Sequence, residues 1–131
     1  MTFDWSEYLR LAEALETETA GDGHARDARH RSAVSRAYYA AFCSARDHLR
    51  HDLGHDDIPR QGAHEYVRRQ FQGLRRLRRE YQAVATYLRR LHAERAEADY
   101  NTEWGADLAD AARTSVEDGR RVLRCLEAVK S

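Results

Sequence analysis

Leu74, Leu77, Tyr81, Val84, Leu88 and Leu91 recur at alternating steps of three and four residues, the spacing at which apolar side chains line one face of an α-helix. Nothing else limits the fold so strongly, because the same rhythm returns on both sides of this segment. Val34, Tyr38, Ala41, Phe42, Ala45, Leu49 and Leu53 trace an upstream stripe, and Leu108, Ala111, Ala112, Val116, Val122, Leu123, Leu126 and Val129 a downstream one. Each stripe has to be covered by another helix. Strands are starved of their preferred residues: alanine is as numerous as arginine, and Val, Ile and Thr together make only about a tenth of the chain.

The breaks between stripes define the elements. Asp4-Trp5-Ser6-Glu7 is expected to open a first helix in the manner of a capping box, with Tyr8, Leu11, Ala12 and Leu15 on its inner face. Ala20-Gly21-Asp22-Gly23 is expected to end it. A second helix is expected from about Asp27 to Leu53, its small residues Ala33, Ala37, Ala40 and Ala41 admitting a neighbour closely. Gly54 to the only proline, Pro59, breaks the chain again. A short amphipathic segment from Gln61 to Phe71 precedes a long fourth helix from Leu74 to about Glu97. Residues 98–105 are read as a turn, and a last helix runs to Val129. The sum is one all-α domain over residues 1–131, an up-and-down bundle of four to five helices. No apolar run approaches the ~20 residues of a membrane span and no charged-then-apolar leader is visible, so a soluble, cytoplasmic protein is expected. Cys43 and Cys125 sit in apolar helical patterns and are expected as free, buried thiols.

The chain has no glycine-rich phosphate loop, nucleophile elbow or zinc-ligand spacing. Any site must be assembled from several helices, without a metal or cofactor. The formal charge is zero, with 22 basic and 22 acidic residues, but the sum conceals an acidic first helix (Glu7, Glu13, Glu16, Glu18) and an arginine-rich middle. Between Arg60 and Arg79 stand seven arginines and one acid, Glu65. Arg68, Arg69, Arg75, Arg76 and Arg79, with Tyr66 and Phe71 interleaved, form a candidate nucleic-acid face; the plainer reading is the polar side of packed helices. The acidic first helix would complement this region within one chain or across a dimer. His48, His51 and His55 with Asp52, Asp56 and Asp57 are read as a solvated helix end, since Gly54 interrupts them and their spacing matches no standard metal site.

Two segments carry polar groups where a core helix has little use for them. In Ser32-Ala-Val-Ser-Arg-Ala-Tyr-Tyr-Ala-Ala-Phe42, Arg36 and Tyr39 stand one turn apart beside the apolar seam. In Arg95-Ala-Glu-Ala-Asp-Tyr-Asn101, Arg95, Asp99 and Tyr100 gather where a helix runs out. On spacing alone the first reads as a core helix with one satisfied arginine, the second as a helix end whose arginine caps carbonyls.

Together, in this order and separation, the two segments resemble the HEPN-domain proteins of bacteria and archaea, most closely a small single-domain branch, and the likeness spans nearly the whole chain. The resemblance implies a four- or five-helix bundle, a homodimer with polar residues of both protomers facing one cleft, and a role in an RNA-directed or nucleotide-linked toxin-antitoxin or defence system. Many such proteins cleave RNA and work beside a minimal nucleotidyltransferase. RNA-cleaving members carry an Arg, four to six residues, then a His. Arg95 matches the Arg, whereas Tyr100 occupies the His place, and Arg36 and Tyr39 match the polar face of the second helix. Metal-independent cleavage needs a base, an acid and a cation for the phosphorane. Arg95 would supply the cation and Arg36 a second phosphate contact. A free phenol, with pKa about 10, is roughly 0.1% ionised at pH 7, so Tyr100 is expected to act as acid or phosphate positioner. His92, one turn before Arg95, faces a similar direction and is the substitute base, though a satisfied or solvated histidine is the plainer reading. The alternative from another class is a non-catalytic module that binds a nucleotide or docks the nucleotidyltransferase, with Tyr100 as an acceptor of its nucleotidyl group.

Overall fold

A computed structural model of the protein describes residues 3–101 and 107–130. Among them are five α-helices: α1 (Ser6–Thr17), α2 (Gly23–Asp47), α3 (Ala63–Gly73), α4 (Arg79–Tyr100) and α5 (Leu108–Lys130), with a π-helical turn at His48–Asp52 directly after α2. The all-α helical bundle expected from the sequence is therefore the fold. Of the turn read at residues 98–105, Ala98 to Tyr100 continue α4, and residues 102–106 lie outside the described residues.

Helix ends differ from the sequence reading in ways local chemistry explains. The capping box does not form: the N-cap is Trp5, without a side-chain cap bond, and Glu7 accepts from Arg10 instead. Asp4 accepts from Ser6 N at 3.0 Å and Ser6 Oγ at 2.6 Å, bonds that hold its carboxyl below the ordinary range. Termination comes early, at Thr17, because the Glu18 carboxylate captures the N–H groups of Thr19 and Ala20, each at 2.9 Å. Gly21, at φ +92°, then turns the chain in a conformation few other residues tolerate. Asp22 accepts from Ala25 N at 2.9 Å, so α2 begins at Gly23, four residues before Asp27. The fourth helix starts at Arg79 and not at Leu74. The chain must reverse between α3 and α4, and residues 74–78 form that turn; Leu77, placed on the apolar seam by spacing alone, is 71% exposed.

The second helix is the centre of the bundle, packed against α1, α4 and α5. Its alanines do what their size allows: Ala33, Ala37, Ala40 and Ala41 are all fully buried. Gly119 of α5 supplies the closest approach, since a Cβ there would stand 3.1 Å from Leu9 Cδ1 and 3.4 Å from the Ala37 carbonyl oxygen. Three helices meet at that point, and on another face of α2 Tyr38 turns to His64 of α3 and His92 of α4. Phe71, Leu88, Leu91, Val67 and Val84 fill that second interface with no exposed surface. Cys43 is buried and Cys125 half-buried, both as free thiols. None of the described helices is long and apolar enough to cross a membrane.

The region read as a solvated histidine-rich helix end is otherwise. His48 is only 4% exposed. Its Nδ1 bonds Asp52 Oδ2 at 2.7 Å and its Nε2 bonds the Tyr81 hydroxyl at 3.1 Å, tying the end of α2 to the start of α4. Burial keeps its imidazole below the usual pKa despite Asp52. His55 turns instead to the Tyr66 hydroxyl at 3.0 Å, while His51 remains exposed.

Candidate functional site

Three helices bring a polar cluster to one side of the bundle. On α4, His92, Arg95 and Asp99 follow each other at steps of three and four and so share a face. On α2, the neighbouring Tyr38 and Tyr39 reach toward that face, and α3 brings His64, which heads the stripe continued by Val67 and Phe71.

Arg95 is the hub. Its Nη2 donates to the Tyr39 hydroxyl at 3.0 Å, and its Nε lies 2.8 Å from Asp99 Oδ2, in an ion pair without hydrogen-bond alignment at Nε. The guanidinium carbon stands 5.5 Å from the Tyr38 ring centre and 5.3 Å from that of Tyr39. Aromatic faces thus replace much of the water around a permanent cation. The Arg95 side chain keeps 21% of its surface exposed, enough to meet an incoming anion from one side.

Two imidazoles stack beside it. The rings of His64 and His92 lie 3.6 Å apart between centres, at 26°. Both are held below the ordinary histidine pKa: His64, down to about 4, by burial first and then by His92 and nearby arginines, partly opposed by Glu65, and His92 by burial and then by Arg95. Both are therefore neutral at pH 7 and able to accept a proton. Burial raises the Tyr38 phenol above its usual range, so it stays protonated. It lies 3.2 Å from His64 Nδ1; with the phenol as donor, neutral His64 carries its own proton on Nε2.

Depressed histidines make a prediction about stability. Unfolding returns His64 to its ordinary pKa of 6.5, so between pH 6.5 and about 4 the unfolded chain binds a proton that the folded chain refuses. His92 and His48 act with the same sign. Stability is expected to be complete above pH 6.5 and to fall as the pH drops from there to about 4. Urea unfolding at pH 7 and pH 5 would show the loss, and His64→Phe should flatten part of the slope; a midpoint unchanged between the two would contradict these surroundings.

Of the residues singled out in the sequence, Arg95, Tyr39 and Asp99 are brought together. Arg36 is not in that contact set: its guanidinium carbon lies 5.2 Å over the Tyr8 ring, and it shares a groove with Asp99. Tyr100, in the motif's histidine place, stands 76% exposed, and its side chain makes no hydrogen bond or ring contact among the described residues. The arginines of the middle segment divide. Arg68 and Arg69 share Glu65, at 2.6 and 2.9 Å, and Arg68 is close enough to act on the His64 charge. Arg75 donates to the Gln72 carbonyl at 2.8 Å, while Arg76 and Arg79 are exposed. Glu7 and Glu13 of the acidic first helix pair with Arg10 and Arg120. No ion pair among the described residues joins α1 to the arginines of residues 60–79.

The sequence reading missed His64. Its signal was a polar residue at the head of an apolar stripe, three residues before Val67 and seven before Phe71. Searches of protein-family models, curated proteins and solved structures found no match to this chain.

Proposed function

We propose that the protein is a HEPN-like, metal-independent endoribonuclease of a toxin-antitoxin or defence system, acting in the cytoplasm as a homodimer. The observation that supports this reading most is the neutral His92 stacked on His64 within one helical turn of Arg95, a cation already partly stripped of water. These are the base and the charge that the chemistry requires, and they supply what Tyr100 was asked to replace.

In this reading, neutral His92 takes the proton from a ribose 2′-hydroxyl as O2′ bonds to phosphorus. Arg95 neutralises the phosphorane oxygens. Burial and the Arg95 charge favour release of the proton from the imidazolium then formed on His92, and it returns the proton to O5′ as the P–O5′ bond breaks. The products are a 2′,3′-cyclic phosphate and a 5′-hydroxyl, and His64 holds the His92 ring in place. The test is incubation of the purified protein with RNA in the presence of EDTA, followed by end-group analysis. Cyclic phosphate ends are expected; intact RNA, or cleavage abolished by EDTA, would overturn the reading.

A second reading has its own observation. The Tyr100 hydroxyl belongs to an exposed side chain at the end of α4, open to a bulky enzyme, as the acceptor of a nucleotidyl group from a minimal nucleotidyltransferase must be. In that case the cleft binds a nucleotide or the partner without cleaving. Intact-mass analysis of the protein purified with its neighbouring gene product would show a nucleotidyl mass on Tyr100, and RNA would remain uncut.

A further inference from the structure

Next to the Arg95 centre, α2 and the last turn of α4 border a groove of about 190 Å³ lined by Arg31, Ser32, Ser35, Arg36 and Asp99. We propose that this groove is a second phosphate subsite, so that the ligand of the Arg95 centre is an oligonucleotide whose neighbouring phosphate rests on Arg36 and the two serine hydroxyls. The inference rests on the reading of the Arg95 centre as an RNA site and extends the Arg36 phosphate contact implied by the resemblance to a lined subsite and a substrate of at least two phosphates.

Arg36 carries most of the argument. Its guanidinium stacks over Tyr8, at 5.2 Å from the ring centre. A stacked guanidinium uses its flat face, and its N–H groups, which lie in the plane, stay available to an anion. Arg46, Arg90, Arg95, Arg120 and Arg121 each have a carboxylate partner. Arg36 has no ion pair among the described residues and rests on the Tyr8 ring instead.

The surroundings suit a phosphate. Ser32 and Ser35 stand one turn apart on α2, and hydroxyls donate well to phosphate oxygens. Arg31 Nη1 donates to the Ala98 carbonyl at 2.8 Å, which holds a second positive charge along the groove. The single acid in the lining, Asp99, is already matched by Arg95, its Oδ2 lying 2.8 Å from Arg95 Nε. One side chain thus both borders the groove and steadies the cation of the neighbouring centre, so the two positions are contiguous. Arg31 and Arg36 in the groove connect through Asp99 to Arg95, a local concentration of arginines that a net charge of zero does not announce.

The experiment uses short 2′-O-methyl oligouridylates, which bind without being cut. Affinities of the full chain are measured by NMR titration for the dinucleotide, with one phosphate, the trinucleotide, with two, and a trinucleotide whose additional linkage is a neutral methylphosphonate. Wild-type protein is expected to gain about 5- to 20-fold from the second phosphate, and the methylphosphonate to forfeit most of that gain. In Arg36→Ala, and in the Ser32→Ala/Ser35→Ala pair, the ratio between charged and neutral trinucleotide should collapse toward one. The ratio is taken within a single preparation, so a partly folded variant does not distort it. If the dinucleotide binds but the second phosphate adds nothing, or if Arg36→Ala leaves the ratio intact, the subsite is overturned and the Arg95 centre stands. If no oligonucleotide binds the wild type, both fall.

Discussion

Replacing Arg95 with alanine is expected to slow RNA cleavage by about 10²- to 10³-fold, the loss that follows removal of one preorganised group facing the charge of a transition state. The reason lies in its setting. Tyr38 and Tyr39 flank the guanidinium at 5.5 and 5.3 Å, and a charge with little water around it acts more strongly on a developing anion than one fully solvated. Arg95→Lys should recover only a small part of the rate, because an ammonium offers no planar fork and cannot keep both the Tyr39 and Asp99 contacts. The substitution has a structural cost as well: the Tyr39 hydroxyl loses its donor at 3.0 Å, worth about 1 kcal/mol. Tyr39→Phe separates the two effects, since it removes the same bond but keeps the charge. A steady-state comparison of the three variants, with thermal melts alongside, decides the matter. Cleavage by Arg95→Ala at the wild-type rate would eliminate the catalytic reading.

The helices were legible because burial imposes a rhythm that survives in a single sequence. Val34, Phe42, Leu88 and Val122 fall on their stripes and are buried. The errors cluster where spacing is ambiguous about when a helix ends. Leu74 and Leu77 sit at the right interval before Tyr81, yet a turn between antiparallel neighbours needs residues of its own, and Gly73 with the arginines around Leu77 marked it. The π-helical turn was invisible for a different reason. Its histidine is explained by a contact with Tyr81 on another helix, and the local sequence shows only a polar helix end.

The site divides in the same way. Arg36 and Tyr39 drew attention because an arginine and a tyrosine in an apolar helix need partners if buried, and Arg95 because polar groups gather where its helix runs out. The structure gives Tyr39 to Arg95 and leaves Arg36 on the Tyr8 ring. His64 and His92 could not be paired from spacing, because nothing in either segment announces that α3 delivers one ring onto the other at 3.6 Å. Tyr100 shows the converse: correct motif spacing placed it in the histidine's position, while the end of the helix leaves it 76% exposed.

His92→Gln is expected to cost about 10²- to 10⁴-fold in cleavage rate, the usual worth of a positioned general base, and the pH dependence should show why. Burial and the Arg95 charge hold the His92 pKa below 6.5, so the base form persists as the pH falls through the range where an exposed histidine is already protonated. The acid limb of the rate profile should therefore lie below pH 6.5, with a flat region through neutrality. Histidine NMR titration reads the same electrostatics without any activity. His92 should titrate below the ordinary value in the wild type and move upward in Arg95→Gln, because the cation that repels its proton has gone. In His64→Gln the loss of rate should be smaller than in His92→Gln, since His64 supports the ring and does not carry the proton in transit. Equal losses in the two variants would make the pair a joint acid-base unit. A His92 that titrates at or above 6.5 would mean that the stacked pair is too solvated to serve as the base, and the chemistry would have to be sought at Tyr100.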